Sequence, residues 1–164
     1  MTLANVLNKG GKHLVHAIAE EAQVVQQFVD LLSLEQTALT AGDTDGLPAL
    51  AEQKSKLAVR LENLAEQRNM TLKAMGFPAD RNGIESWCAQ HPAEQIAGDT
   101  WAGIIKLARE ARELNRLNGE LIQLRMNVTA TALEALRASK NSLDLYGPDG
   151  QSAKAGHRRI DHTV

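Results

Sequence analysis

The 164-residue sequence is short of aromatics, with two Trp, two Phe and one Tyr. So little bulky material does not fill a thick globular core, and it favours thin packing by aliphatic side chains. A single cysteine, Cys88, excludes an intrachain disulfide and is consistent with a reducing compartment. No apolar run approaches the ~18 residues that a membrane helix needs. Asn5, Asn8, Lys9 and Lys12 interrupt the N-terminus where a signal peptide would carry its apolar core. A formal net charge of −2 gives no global attraction to nucleic acid. These absences predict a cytoplasmic chain with no membrane insertion and no nucleic-acid partner.

What the sequence does hold is Ala, Leu, Gln, Glu, Lys and Arg, the residues that lose least on entering a helix. In the first helical segment, about 12–40, Ile18, Val25, Leu32 and Leu39 stand seven residues apart, with Leu14, Ala22, Phe28 and Val29 on the same face. In the second, about 47–75, Leu50, Leu57 and Leu64 repeat by seven. Such spacing makes a coiled-coil-like seam. Between the segments, Gly42-Asp43-Thr44-Asp45-Gly46 and Pro48 stop one helix and start the next, which predicts an antiparallel αα-hairpin. If facing residues have numbers adding to 89, Leu39 meets Leu50, Leu32 meets Leu57, Phe28 meets Leu61, Val25 meets Leu64 and Leu14 meets Met75. The same register sets Glu35 against Lys54 and Glu21 against Arg68. Opposite charges on the seam would penalise slipped registers; alternatively, the two cations snorkel to water.

Gly76, Pro78, Gly83, Pro92 and Gly98 then break the pattern, leaving room for a short helix at about 84–90. Asp99 or Thr100 is placed to cap a third long helix, 100–139. Its main stripe is Leu107, Leu114, Leu117, Leu121, Leu124 and Val128, which passes through Asn118-Gly119 without losing phase. Gly119 costs about 1 kcal/mol relative to Ala in such a helix, and close approach of another backbone is one reason to keep it. A second line, Trp101, Ile104, Ala108, Ile122, Met126 and Leu133, either packs inside the bundle or receives a partner helix. The expected fold is all-α: a long hairpin plus a third long helix, an elongated coiled-coil-like three-helix bundle over 1–139. A disordered tail over 140–164 follows, with Gly147, Pro148, Gly150 and Gly156.

Chemistry is hard to find in these residues. No glycine-rich phosphate loop is present. His13, His16 and Glu20 share one helix face, yet nothing in the sequence supplies a second shell for a metal. No His is preceded at three residues by Glu, as a di-iron bundle would require. Cys88 and His91 permit a thiolate pair but lack any orienting group. The reading is therefore of a binding protein, not an enzyme, with no cofactor and no metal.

Two stretches carry more. Leu114-Asn115-Arg116-Leu117-Asn118-Gly119 resembles the Leu-Asn-x-x-Asn-Gly element of the FlgN-type flagellar export chaperones. Leu145-Tyr146-Gly147-Pro148-Asp149-Gly150-Gln151 is similar to that family's Leu-Tyr-Gly-x-x-Gly-Gln tail motif. Glu35 to Leu39, Gln53-Lys54-Ser55 with Leu57, and Gln67-Arg68 also agree, so the resemblance covers about 31–151. It implies a chaperone that binds the C-terminal helices of the hook–filament junction proteins FlgK and FlgL. Such a chaperone delivers them to the export gate, whose cytoplasmic domain belongs to FlhA, with the export ATPase complex as a further candidate partner. By the same resemblance Asn115, Asn118, Gly119, Ile122 and Met126 are the expected cargo-binding residues, and Tyr146, Gly147 and Pro148 the expected gate-docking residues. Without it, the heptads support only a generic helical adaptor or coiled-coil signalling protein.

Overall fold

A computed structural model describes the backbone of residues 3–144 and the side chains of residues 9–139. Among the described residues the fold is all-α: α1 (Leu3–Ala41), α2 (Leu47–Ala74), α3 (Arg81–Gln90), a 3₁₀ turn (Pro92–Glu94) and α4 (Gln95–Asp144). The chain forms two compact units, Met1–Ile122 and Gln123–Val164. The division falls within α4.

The first unit is built on the α1–α2 hairpin. Gly42 has φ 82°, and its N–H and that of Asp43 both donate to Ala38 O at 3.0 Å, closing the last turn of α1. Asp43 Oδ1 accepts from the Asp45 N–H at 3.2 Å, and Pro48 lies in the first turn of α2. The expected register forms. Lys54 Nζ donates to Glu35 Oε1 at 2.6 Å, and Arg68 Nη1 donates to both carboxylate oxygens of Glu21. The seam cations therefore pair across the hairpin and do not simply reach for water.

Gly76, at φ 86°, ends α2, with the Phe77 N–H returning to Leu72 O at 3.0 Å. Asp80 then caps α3 by accepting from the Gly83 N–H at 3.0 Å. Here the chain folds back so tightly that a Cβ on Gly83 would lie 1.8 Å from Pro78 O. This bend brings Ile84 and Trp87 into one core with Leu14, Ile18, Leu72, Trp101 and Ile104. A second cluster joins Val29 and Leu32 of α1 to Ala111 of α4. Core partners on α4 rise in number as those on α1 do, so α4 runs alongside α1 in the same direction within this unit.

Several boundaries differ from the sequence expectation: α3 begins at Arg81 and not near residue 84, and α4 continues to Asp144, through residues expected to belong to the tail. α1 begins at Leu3 and not near residue 12, because Gly10 and Gly11 continue the helix instead of breaking it. Gly10 gives α2 room: a Cβ there would meet Met75 Sδ at 2.8 Å. α4 begins at Gln95, so Asp99 and Thr100 lie inside it and cap nothing. Thr100 Oγ1 donates back to Ile96 O at 2.7 Å, the bond a helical threonine makes. The 3₁₀ turn Pro92–Glu94 leads directly into it.

Candidate functional site

Two polar layers cross the first unit, each containing a buried glutamate of α1. In one, Glu21 pairs with Arg68 of α2, whose guanidinium carbon lies 4.9 Å from the centroid of the Trp101 ring on α4. Both charged residues are buried, so the ion pair and the cation–π contact act where water screens them little. In the other, Glu35 takes Lys54 on one side and Asn118 on the other. Asn118 Nδ2 donates to Glu35 Oε2 and to Leu32 O, each at 2.9 Å.

Asn118 is only 1% exposed, so the residue expected to meet a cargo helix is instead bonded internally to α1. Its Oδ1 is buried with no partner, as is Trp101 Nε1. Asn115 and Gly119, one position on either side of the neighbouring turns, are exposed. A Cβ on Gly119 would meet nothing within 4 Å among the described residues, so none of their backbone closes on it there. Ile122 is 39% exposed at the end of the first unit. In the second unit Met126 is 62% exposed, and Leu124, Val128, Leu133 and Leu136 are exposed with it. Tyr146, Gly147 and Pro148 lie outside the described residues.

Neither expected apolar line of α4 is the seam as drawn. Besides Trp101, the buried positions are Ala97, Ile104, Ala111 and Asn118, each seven apart, a line that crosses between the two. Leu107, Leu114, Leu117 and Leu121 are half-buried beside it. A search for apolar stripes misses this line because two of its four members are alanine and one is asparagine. The seven-residue spacing of Ala97, Ile104 and Ala111 is the signal that could have found it.

The other chemical candidates stay unremarkable. His13, His16 and Glu20 line an open groove with Gln67, Met70 and Thr71, and Glu20 pairs with Arg60 at 3.1 Å. Among the described residues no three His, Cys, Asp or Glu side chains gather as metal ligands would. His91 stacks on Trp87, with ring centroids 4.7 Å apart, and its Nδ1 lies 2.8 Å from Trp87 O. That contact engages Nδ1 of the imidazole with the Trp87 carbonyl. Burial pushes the Cys88 thiol above its ordinary pKa; a backbone hydrogen bond opposes this, and the Glu85 charge adds to it. The direction is the reverse of what an activated thiolate needs. On the exposed surface of α4, Arg116 bridges Glu113 and Glu120. Its hydrogen bond holds the Glu113 carboxyl below the ordinary range. No helix among the described residues is long and apolar enough to cross a membrane.

Comparison with known proteins adds a second line of argument. The family model described as FlgN protein matches residues 10–154. The flagella synthesis protein FlgN of Salmonella typhimurium is 28% identical over 137 residues, covering 82% of this chain and 86% of that protein. That of Yersinia enterocolitica is 27% identical over 140 residues, covering 84% and 88%. That of Proteus mirabilis is 27% identical over 127 residues, covering 76% and 80%. No solved structure gives a significant match.

Proposed function

The chain belongs to the FlgN family, and from that membership we propose that it is a cytoplasmic flagellar export chaperone. Its cargo in this reading is the C-terminal helical ends of the junction proteins FlgK and FlgL, which it keeps soluble until export. It then hands them to the cytoplasmic domain of FlhA, close to the export ATPase complex. No catalytic step, cofactor or metal is part of the reading.

The observation that carries the proposal is the second unit. Leu124, Met126, Val128, Leu133 and Leu136 are all exposed on a stretch of helix. Apolar surface of this kind marks a protein-binding site more often than bare solvent-facing helix. A helix that polymerises through its own apolar face is a suitable occupant, because helix-on-helix packing covers both faces at once. Release at the gate requires that the interface stay modest, so a helix face suits the task better than a deep obligate interface. In this proposal Ile122 and Met126 contact cargo, with Asn115 and Gly119 at the edge. Asn118 supports the face from within. Tyr146, with Gly147 and Pro148 shaping its presentation, docks at the gate.

The test is calorimetric titration of the chain with a C-terminal fragment of each junction protein. Binding with a negative heat-capacity change is expected, as apolar burial requires. A well-folded chain that takes up neither fragment would overturn the reading and leave a generic helical adaptor.

A further inference from the structure

Around residue 118, apolar burial alone would orient α4 differently. Leu117 and Leu121 stay half-buried while Asn118, between them, is buried. Two turns earlier Ala111 is buried, and one turn earlier Leu114 is left half-buried. Neighbouring residues of an α-helix are about 100° apart, so a rotation of less than one such step would carry the three leucines into the seam. It would also return the asparagine to water. Leucine burial is the more favourable of the two, since it removes more apolar surface and strands no amide. Something directional therefore holds α4 back.

The directional contacts at this level belong to Asn118. Its Nδ2 grips a backbone carbonyl, Leu32 O, and a carboxylate oxygen of Glu35, which Lys54 fixes from the far side. The hold is not optimised for stability, because Asn118 Oδ1 is buried without a partner. A buried, half-satisfied amide at a heptad seam position, in place of an available leucine, is a device that selects one arrangement at a cost in stability. We infer that Asn118 is a positioning residue that sets the rotation of α4 in the first unit. It keeps Leu117 and Leu121 from being drawn into the seam and leaves Asn115, Gly119 and Ile122 outward. The rotation itself is independent of any partner; its consequence for cargo binding rests on the chaperone reading.

The experiment uses the full chain with Cys88→Ser and nitroxide labels on Ser33→Cys and Arg112→Cys, both exposed positions on the paired helices. Pulsed electron resonance then reads the distance between α1 and α4. With Asn118 present, one narrow distribution is expected. Asn118→Leu and Asn118→Ala should each broaden it or add a second population, and Asn118→Leu should melt at the same temperature or several degrees higher. A narrow, unshifted distribution in both variants would overturn the inference, whatever their melting temperatures. If the leucine variant fails to fold, the alanine variant decides by the same reading. A second arm titrates the unlabelled variants with the junction-protein fragment, where a several-fold weaker capture is expected. A broadened distribution with unchanged capture would confirm the positioning role and remove this face from cargo binding. Failure of the parent chain to bind would instead strike the chaperone reading.

Discussion

Glu21 and Glu35 stand fourteen residues apart on α1, two full heptads, and each is buried and paired with a cation of α2: Glu21 with Arg68, which also faces Trp101 of α4, and Glu35 with Lys54, its other oxygen accepting from Asn118 of α4. Their partners on α2, Arg68 and Lys54, are likewise fourteen apart. The hairpin and α4 are thus joined at two levels, by a cation–π contact at one and a hydrogen bond at the other, and the leucine ladder between those levels supplies the burial.

The two levels differ in exposure, and their mutants should differ accordingly. The Arg68 side chain is 10% exposed and that of Lys54 27%. Arg68→Ala leaves the Glu21 carboxylate buried without a cation and uncovers Trp101, so urea denaturation should show a loss of about 3–5 kcal/mol. Lys54→Ala should cost less, about 1–3 kcal/mol, because water reaches Lys54 and Asn118 still donates to the buried Glu35 carboxylate. Replacing Glu21 and Arg68 together with leucine should recover most of the loss. If the double variant is as unstable as Arg68→Ala, the ion pair is not what the single variant loses.

Trp87 should prove the most sensitive position outside the long helices. It is 1% exposed among Leu14, Ile18, Leu72 and Ile84, where no polar group could take its place. Trp87→Ala should cost about 3–5 kcal/mol in chemical denaturation. A cost under about 1 kcal/mol would show that α3 is not part of the core.

Those two sites mark the limits of what the sequence made legible. The hairpin was readable because Leu32 with Leu57 and Glu35 with Lys54 satisfy one register by two independent criteria, apolar pattern and charge. The core around α3 was not, because Ile84 and Trp87 sit in ten helical residues between glycines and prolines, too few to show a period. Asn118 was misplaced for a different reason. A family motif marks it as important, but only the coordinates show that its amide turns inward to Leu32 and Glu35 and not outward to a partner.

Cys88 gives a prediction in pH. Its thiol is pushed above the ordinary value of 9.0, chiefly by burial, and the thiolate is the form that reacts. Alkylation of the native chain should therefore rise with pH along a curve displaced upward from that of the urea-unfolded chain. The sign for stability follows. The native state keeps a proton that the unfolded state has begun to lose, so this contribution is complete below the unfolded pKa and is lost as pH rises through the folded one. Measuring alkylation rate against pH in both states checks it, and a native midpoint at or below the unfolded one would refute the displacement.

The final prediction separates capture from delivery. Ile122→Glu and Met126→Glu each place a charge where the proposed cargo helix would bury it, and a buried carboxylate without a partner is strongly unfavourable. Both positions are already exposed, so helicity and melting temperature of the free chain should hardly change. Affinity for the junction-protein fragment should fall at least tenfold, equivalent to about 1.4 kcal/mol. Tyr146→Ala should do the opposite: cargo affinity and melting temperature unchanged, but weaker association of the loaded complex with the cytoplasmic domain of FlhA. An aromatic ring in a shallow groove commonly supplies much of such a contact, so the loss at the gate should be large for one residue. Measuring folding, capture and gate binding on the same three purified variants makes the roles separable. Should the glutamate variants bind cargo normally, neither Ile122 nor Met126 belongs to the cargo surface. Should Tyr146→Ala reduce stability or leave gate binding intact, the ring belongs to the fold and the docking role assigned to it is wrong.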